Sequence, residues 1–301
     1  MLHRKNRAPA ALRHPRLSLL VGAPLLALAF IGPALAQDGA SLQAKHGALA
    51  ARLADNPFKR PLVLDSAESP ERLSGDIYAV VDHPFAETGA LATPANWCEV
   101  LMLHLNTKHC AVKGEGQGTT IEVAVGRKFD QPLDQAQRVA FAWTRAANSA
   151  DYLSVQLSAN EGPLSTRDYR IVLEAVPLSQ GRSFVHLAYS YAYGTAARFA
   201  MKAYLGTLGS GKVGFTVTSG QGRQGAAAPI GGVRGVVERN TMRYYLAIDA
   251  FLGAPKPEQL DRRLAAWFDA TEQYARQLHE TERADYLAMK KSEYRRLRQG
   301  G

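Results

Sequence analysis

Polar and apolar positions along this 301-residue chain switch between helical and strand periods, and the switches outline its elements. Over 40–54, Leu42, Leu49 and Leu53 recur at helical spacing, which predicts a short amphipathic helix ending at Asn56-Pro57. Two strands are predicted next, at 61–65 and 75–81. Asp82, His83 and Pro84 end the second strand and open a helical stretch, and Thr93-Pro94 starts another short helix that carries Trp97 and Cys98. From there to Tyr193 the chain reads as successive antiparallel strands at 101–108, 120–128, 138–145, 152–159, 169–176 and 183–193. A glycine-rich turn at 114–118 separates the first two. The alternation is plainest in the last strand. Val185, Leu187, Tyr189, Tyr191 and Tyr193 share one face, while Phe184, His186, Ala188, Ser190 and Ala192 take the other.

Beyond Gly194 the period is helical again. A helix is predicted at 196–208, an added strand at 213–218 and a Gly/Ala-rich loop at 220–232. A long helix follows at 236–252, with Val237, Tyr244, Ile248 and Phe251 forming a stripe suited to lie on a sheet, and Gly253 and Pro255 stop it. Residues 257–297 predict one or two charged helices. Leu260, Leu264, Trp267 and Phe268 give the first half an apolar stripe, whereas the second half is polar enough to stand away from the core. An early helix, a curved antiparallel sheet and a helix returning across it make an α+β fold.

The first 36 residues have the parts of a cleavable secretory signal peptide. Arg4, Lys5, Arg7, Arg13 and Arg16 give a positive start, Leu17 to Ile31 is apolar, and Ala34-Leu35-Ala36 supplies small residues before a cut at Gln37. The apolar run contains Gly22 and Pro24 and falls short of the roughly 20 residues of a membrane span, so a retained anchor is disfavoured. The expectation is a soluble periplasmic protein. Cleavage would lower the formal net charge from +9 to +4, because five cations and no acidic residue lie in this segment. A nucleic-acid partner is therefore not expected. The remaining basicity gathers at Lys290, Lys291, Arg295, Arg296 and Arg298, which could touch anionic lipid headgroups or simply form a solvated helix end.

Export also bears on Cys98 and Cys110, the two cysteines of the chain. A reactive cysteine served by nearby His104 or His109 is one option. A disulfide is preferred, because an oxidising compartment leaves few thiols reduced, and closing so short a loop stabilises by about 3 kcal/mol.

Catalytic and cofactor motifs fail on context. Gly206 to Lys212 nearly spells a phosphate-binding loop, but Val213 stands where Ser or Thr must hold magnesium, and the predicted helix precedes the loop instead of following it. Gly220, Gly222 and Gly225 match a dinucleotide fingerprint, yet Pro229 and Gly231-Gly232 interrupt the required helix. The stretch could instead form a flap over a pocket mouth. His83, His104 and His109 lack the spacing of metal ligands, since positions five apart on a strand face opposite ways. There is no Gly-x-Ser-x-Gly elbow, and Glu161, Asp168 and Glu174 read as surface strand positions. No cofactor, metal or catalytic residue is assigned.

The strand at 75–81, Pro84 to Leu91 (PFAETGAL), then Pro94 and Trp97, resembles the opening of START-like (SRPBCC, helix-grip) domains, and the later strands and the 236–252 helix continue the likeness. It spans roughly residues 74–254. Around it lie the signal segment 1–36, an N-terminal helix and lead-in strand at 37–73, and a charged helical extension at 255–301. The helix at 196–208 and its added strand depart from the family's pattern. The resemblance implies an apolar cavity between sheet and long helix that takes lipids, sterols or other hydrophobic molecules, in an exported bacterial member.

The candidate site is aromatic and cationic. Tyr189, Tyr191 and Tyr193 line one strand face, and the long helix brings Arg239, Asn240, Arg243 and Tyr244 on neighbouring turns. Such a set could orient an amphiphile whose acidic head an arginine holds. The alternative is a tyrosine core layer with Arg239 and Arg243 facing solvent. Three functions follow as expectations. The first is non-catalytic binding of a hydrophobic or amphipathic molecule. The second is a cyclase- or hydrolase-type enzyme on the same scaffold. The third is an envelope interaction module working through the C-terminal helices.

Overall fold

A computed structural model describes residues 38–194, 211–219 and 227–299. The segment read as a signal peptide, the helix expected at 196–208, most of the phosphate-loop lookalike and the glycines at 220–225 lie outside these residues.

Helix α1 (Gly39–Ala54) begins where the Asp38 side chain accepts the Ser41 backbone N–H at 2.7 Å, and it buries Leu42, Leu49 and Leu53. Strands β1 (Leu62–Glu68) and β2 (Arg72–Val81) form a hairpin. A short helix α2 (Phe85–Thr88) and then α3 (Pro94–Met102), with proline in its first turn, carry the chain to the far edge of the sheet. There β3 (Thr107–Lys113), β4 (Thr120–Val125), β5 (Gln137–Asn148), β6 (Leu153–Glu161), β7 (Thr166–Leu178) and β8 (Arg182–Tyr193) run as an antiparallel meander. The last strand returns to pair with β2, giving the order β1-β2-β8-β7-β6-β5-β4-β3. Register shifts within the β3/β4, β5/β6 and β7/β8 ladders bend the sheet, as bulges do.

The expected strand at 101–108 is corrected. Leu101 and Met102 finish α3, and the strand starts at Thr107. Leu101, Met102, Leu103 and Leu105 are all buried, so this run has no polar alternation from which a strand period could be read. Cys98 on α3 and Cys110 on β3 are joined by a disulfide.

The added strand shrinks to β9 (Val217–Thr218), paired with β10 (Ala228–Pro229). Helix α4 (Gly232–Leu252) then lies along the concave face of the sheet. It comes so close to β2 that a Cβ on Gly75 would sit 2.4 Å from the Thr241 hydroxyl oxygen. The two faces of β8 divide as the alternation requires. Val185, Leu187, Tyr189, Tyr191 and Tyr193 join the main core, while Phe184 packs outward with Leu42, Leu49, Leu53 and Tyr78 under α1.

Three helices close the chain, α5 (Leu260–Glu272), α6 (Ala275–Leu278) and α7 (Arg283–Arg298). The polar last helix does not stand away from the core. It buries Tyr286, Met289, Lys290, Glu293 and Tyr294 against α3, β3 and α5. Its buried charges are paired: Lys108 and Lys290 both bond Glu293, at 2.8 and 2.7 Å, with all three side chains fully buried. Local hydropathy could not report a partner nearly two hundred residues away.

Candidate functional site

Between β8 and α4 lie two neighbouring cavities that share part of their lining, called here the outer and the inner chamber. The outer one, about 450 Å³, is lined by Leu73, Tyr191, Tyr193, Val233, Val236, Arg239, Asn240 and Arg243, together with Lys128, Lys212 and Glu280. The inner one, about 190 Å³, is walled by Val123, Val139, Phe141, Tyr169, Tyr189 and Tyr244, with His104 among them. Asn106, Leu164, Thr166, Tyr191, Val236 and Asn240 line both.

The tyrosines form a contiguous array of stacked and tilted rings. Tyr169 lies on Tyr191 at 5.2 Å, Tyr189 sits 5.6 Å from Tyr191 and 5.3 Å from Tyr244, and Tyr244 stacks on His104 at 5.3 Å. Burial raises the phenols of Tyr189, Tyr191 and Tyr244 above their usual value, so they remain protonated, amphipathic wall groups.

The arginines are not on a solvent face. Arg239 and Arg243 are 6% and 4% exposed, because α4 turns this side toward the outer chamber. Arg239 donates to the Val213 carbonyl at 3.2 Å. Arg243 reaches the Leu278 carbonyl and Asn240, and bonds Glu280 at 2.8 Å. Glu280, in the turn between α6 and α7, also meets Lys128 at 2.7 Å and Lys212 at 3.1 Å. Burial alone would raise its carboxyl, but Arg243, Lys128 and Lys212 outweigh that and hold it down at about 2. Lys128 is lowered, chiefly by burial and further by Arg243 and Lys212, against the pull of Glu280.

The structure thus brings all seven expected residues to one cavity, five in the outer chamber and Tyr189 and Tyr244 in the inner one, with Tyr191 and Asn240 shared. Lys128, Lys212 and Glu280 were not legible in the sequence. They come from the loop after β4, the segment before β9 and the C-terminal extension, and no spacing connects those three places.

His104 is the other addition. Its Nδ1 accepts the Asn106 backbone N–H at 3.2 Å, which puts the ring proton on Nε2, and Nε2 has no partner among the described residues. Burial first, then Arg243, Lys290, Lys128 and Lys108, push its pKa well below the ordinary value, so the ring is neutral. His83 is engaged elsewhere, with Asp249 at 3.1 Å. Among the described residues no three His, Cys, Asp or Glu side chains are placed to hold a metal ion.

Of the three carboxylates expected at the surface, Glu161 and Asp168 are exposed. Glu174 is corrected. It is buried on the outer face of the sheet, where it accepts from Tyr152 and pairs with His186 at 2.9 Å; His186 also bonds Asp76 at 2.9 Å and stacks on Tyr78 at 4.2 Å. Helix α1 covers this face, so an outward strand position is not a solvent position there. The basic C-terminal cluster is also thinner than its sequence suggests. Lys290 is buried, Lys291 pairs with Asp261 and Arg296 with Asp130, and Arg295 and Arg298 remain exposed.

A strand followed by two short helices, a meander that returns to that strand, and a long helix held in the sheet's concavity define a START-like, helix-grip α+β fold. No family model and no curated protein matches the chain. Among solved structures it is similar to norcoclaurine synthase from Thalictrum flavum, at 13% identity and a TM-score of 0.32 over 50% of this chain and 82% of that one. A conserved protein from Geobacillus kaustophilus is similar at 10% identity and a TM-score of 0.34, over 60% and 95%. Human StAR-related lipid transfer protein 5 is similar at 7% and 0.30, over 56% and 91%.

Proposed function

We propose that this is an exported, periplasmic protein that binds a hydrophobic or amphipathic small molecule, such as a lipid, between β8 and α4 without transforming it. One observation carries the reading: in a fold whose long helix could pack flush on the sheet, tyrosines and α4 side chains instead line two neighbouring cavities with a shared wall. The signal-like N-terminal pattern supports export, and the Cys98–Cys110 disulfide agrees with an oxidising compartment.

The test is native mass spectrometry of protein taken from the periplasmic fraction, with organic extraction of whatever it carries. A bound apolar molecule is expected, absent from a Val236→Trp variant whose indole fills the junction of the chambers. Ligand-free protein that also fails to bind a fluorescent hydrophobic probe would overturn the binding role. An N-terminus at Met1 in that fraction would overturn cleavage.

A second reading, a cyclase- or hydrolase-type enzyme on the same scaffold, is favoured by one observation, the neutral His104 in the inner chamber wall, whose Nε2 has no hydrogen-bond partner among the described residues. Conversion of the extracted ligand by the wild type but not by His104→Gln would establish it. Unchanged ligand in both would dismiss it.

A further inference from the structure

The outer chamber holds more positive charge than its own residues neutralise. Lys128, Lys212, Arg239 and Arg243 all line it, and Glu280 is the single carboxylate among the lining residues. Glu280 bonds three of the four cations, two of them through one oxygen. Arg243 is buried, and three cations that share one carboxylate leave positive charge for a further anion to meet. The two lysines are more exposed than the arginines, with side chains 38% and 34% exposed. The rest of the wall is mostly apolar and aromatic, and Tyr191 and Val236 line the inner chamber as well.

We propose that the outer chamber is a head-group site for an anionic amphiphile, whose carboxylate or phosphate sits among Lys128, Lys212, Arg239 and Arg243 while its apolar part runs past Tyr191 and Val236 toward the inner chamber. The proposal rests on the binding role above and specifies its ligand class. Glu280 is the positioning residue. Delivered by the C-terminal extension, it holds Lys128, Lys212 and Arg243 in place before any ligand arrives, so the donors need little reordering on binding. A neutral head would leave the surplus charge uncompensated, and a cationic head would add to it.

The experiment is calorimetric titration of the delipidated mature protein with dodecanoate, dodecyl phosphate, dodecanol and dodecyltrimethylammonium. At least one anion should bind about tenfold or more tighter than dodecanol, the cation should bind most weakly, and added salt should weaken anion binding alone. Preference for the phosphate points to a phosphorylated lipid, and preference for the carboxylate to a free fatty acid. Combining Lys128→Met with Lys212→Met should lower anion affinity about tenfold and leave dodecanol within about twofold, with the thermal midpoint checked for folding. Dodecanol binding as tightly as both anions to the wild-type protein, without salt dependence, would overturn the head-group assignment and leave the binding role standing. Failure of all four probes would overturn both.

Discussion

Replacing Glu293 with glutamine keeps the shape of the side chain and removes the charge that two buried lysines share. In the wild-type protein Lys108 bonds one carboxylate oxygen and Lys290 the other, and none of the three side chains is exposed to solvent. The lysines also donate to the carbonyls of Leu105 and Thr107, and Lys108 to the Met289 sulfur. Burial lowers the Lys290 ammonium to about 8, with Glu293 opposing that and Lys108 and Arg296 adding to it. In Glu293→Gln the opposing charge is gone and two ammonium groups face one neutral amide. Breaking a buried pair by removing one partner destabilises by about 3–5 kcal/mol, a large part of the ~5–15 kcal/mol that holds a domain folded.

The sign of the pH dependence follows from linkage. A lysine whose folded pKa lies below its unfolded value binds fewer protons when folded, so stability rises with pH between the two values. For the wild type that window runs from about 8 up to the ordinary lysine value of 10.5. In the variant Lys290 falls further, so its deficit is largest near neutral pH and shrinks on the alkaline side. Urea denaturation at neutral and alkaline pH measures this, with the midpoint read at a constant slope. A neutral-pH loss under about 1 kcal/mol, or a deficit independent of pH, would refute the reasoning. Replacing all three residues with apolar side chains of matching volume should recover most of the loss, because no unpaired charge then remains.

Three further outcomes are expected. On the outer face, burial lowers His186, but its bonds to Asp76 and Glu174 outweigh this and raise it above its ordinary value. Its stabilising contribution is therefore complete below the unfolded pKa of 6.5 and is lost as pH rises through the folded pKa. The wild type should lose stability across that range by urea denaturation, and His186→Gln should lose less; parallel curves would contradict this. Gly75→Ala should destabilise by about 1–3 kcal/mol through the contact with Thr241, and combining it with Thr241→Ala should recover part of that in a double-mutant cycle. Replacing Cys98 and Cys110 together with serine should lower stability by about 3 kcal/mol in chemical denaturation, since the bridge closes a separation of 12 residues. No change would mean that α3 is fixed on β3 by packing alone.

Much of the frame can be read from local pattern. The two-residue period of β8 assigns Tyr189, Tyr191 and Tyr193 to one face, and α4 buries them on that side. The helix-stop residues after Leu252 and the proline at the start of α3 act over a few bonds, which is why those elements fall where the pattern puts them. The arginines of α4 were legible as neighbours on one helix but not in their direction, because whether a helical stripe meets solvent or a cavity depends on what lies across from it.

What only the tertiary structure decided involves groups far apart in sequence. Glu174 looks like an outward strand carboxylate until α1 lies over it and Tyr152 and His186 bond it. The C-terminal helix looks free until Lys108 supplies a partner for Glu293. The charge balance of the outer chamber, three cations on Glu280, joins the loop after β4, the segment before β9, α4 and the C-terminal extension. Sequence periodicity records the environment each residue shares with its near neighbours along the chain. Burial of a charge is settled by the element that packs against it, and that element can come from anywhere in the chain.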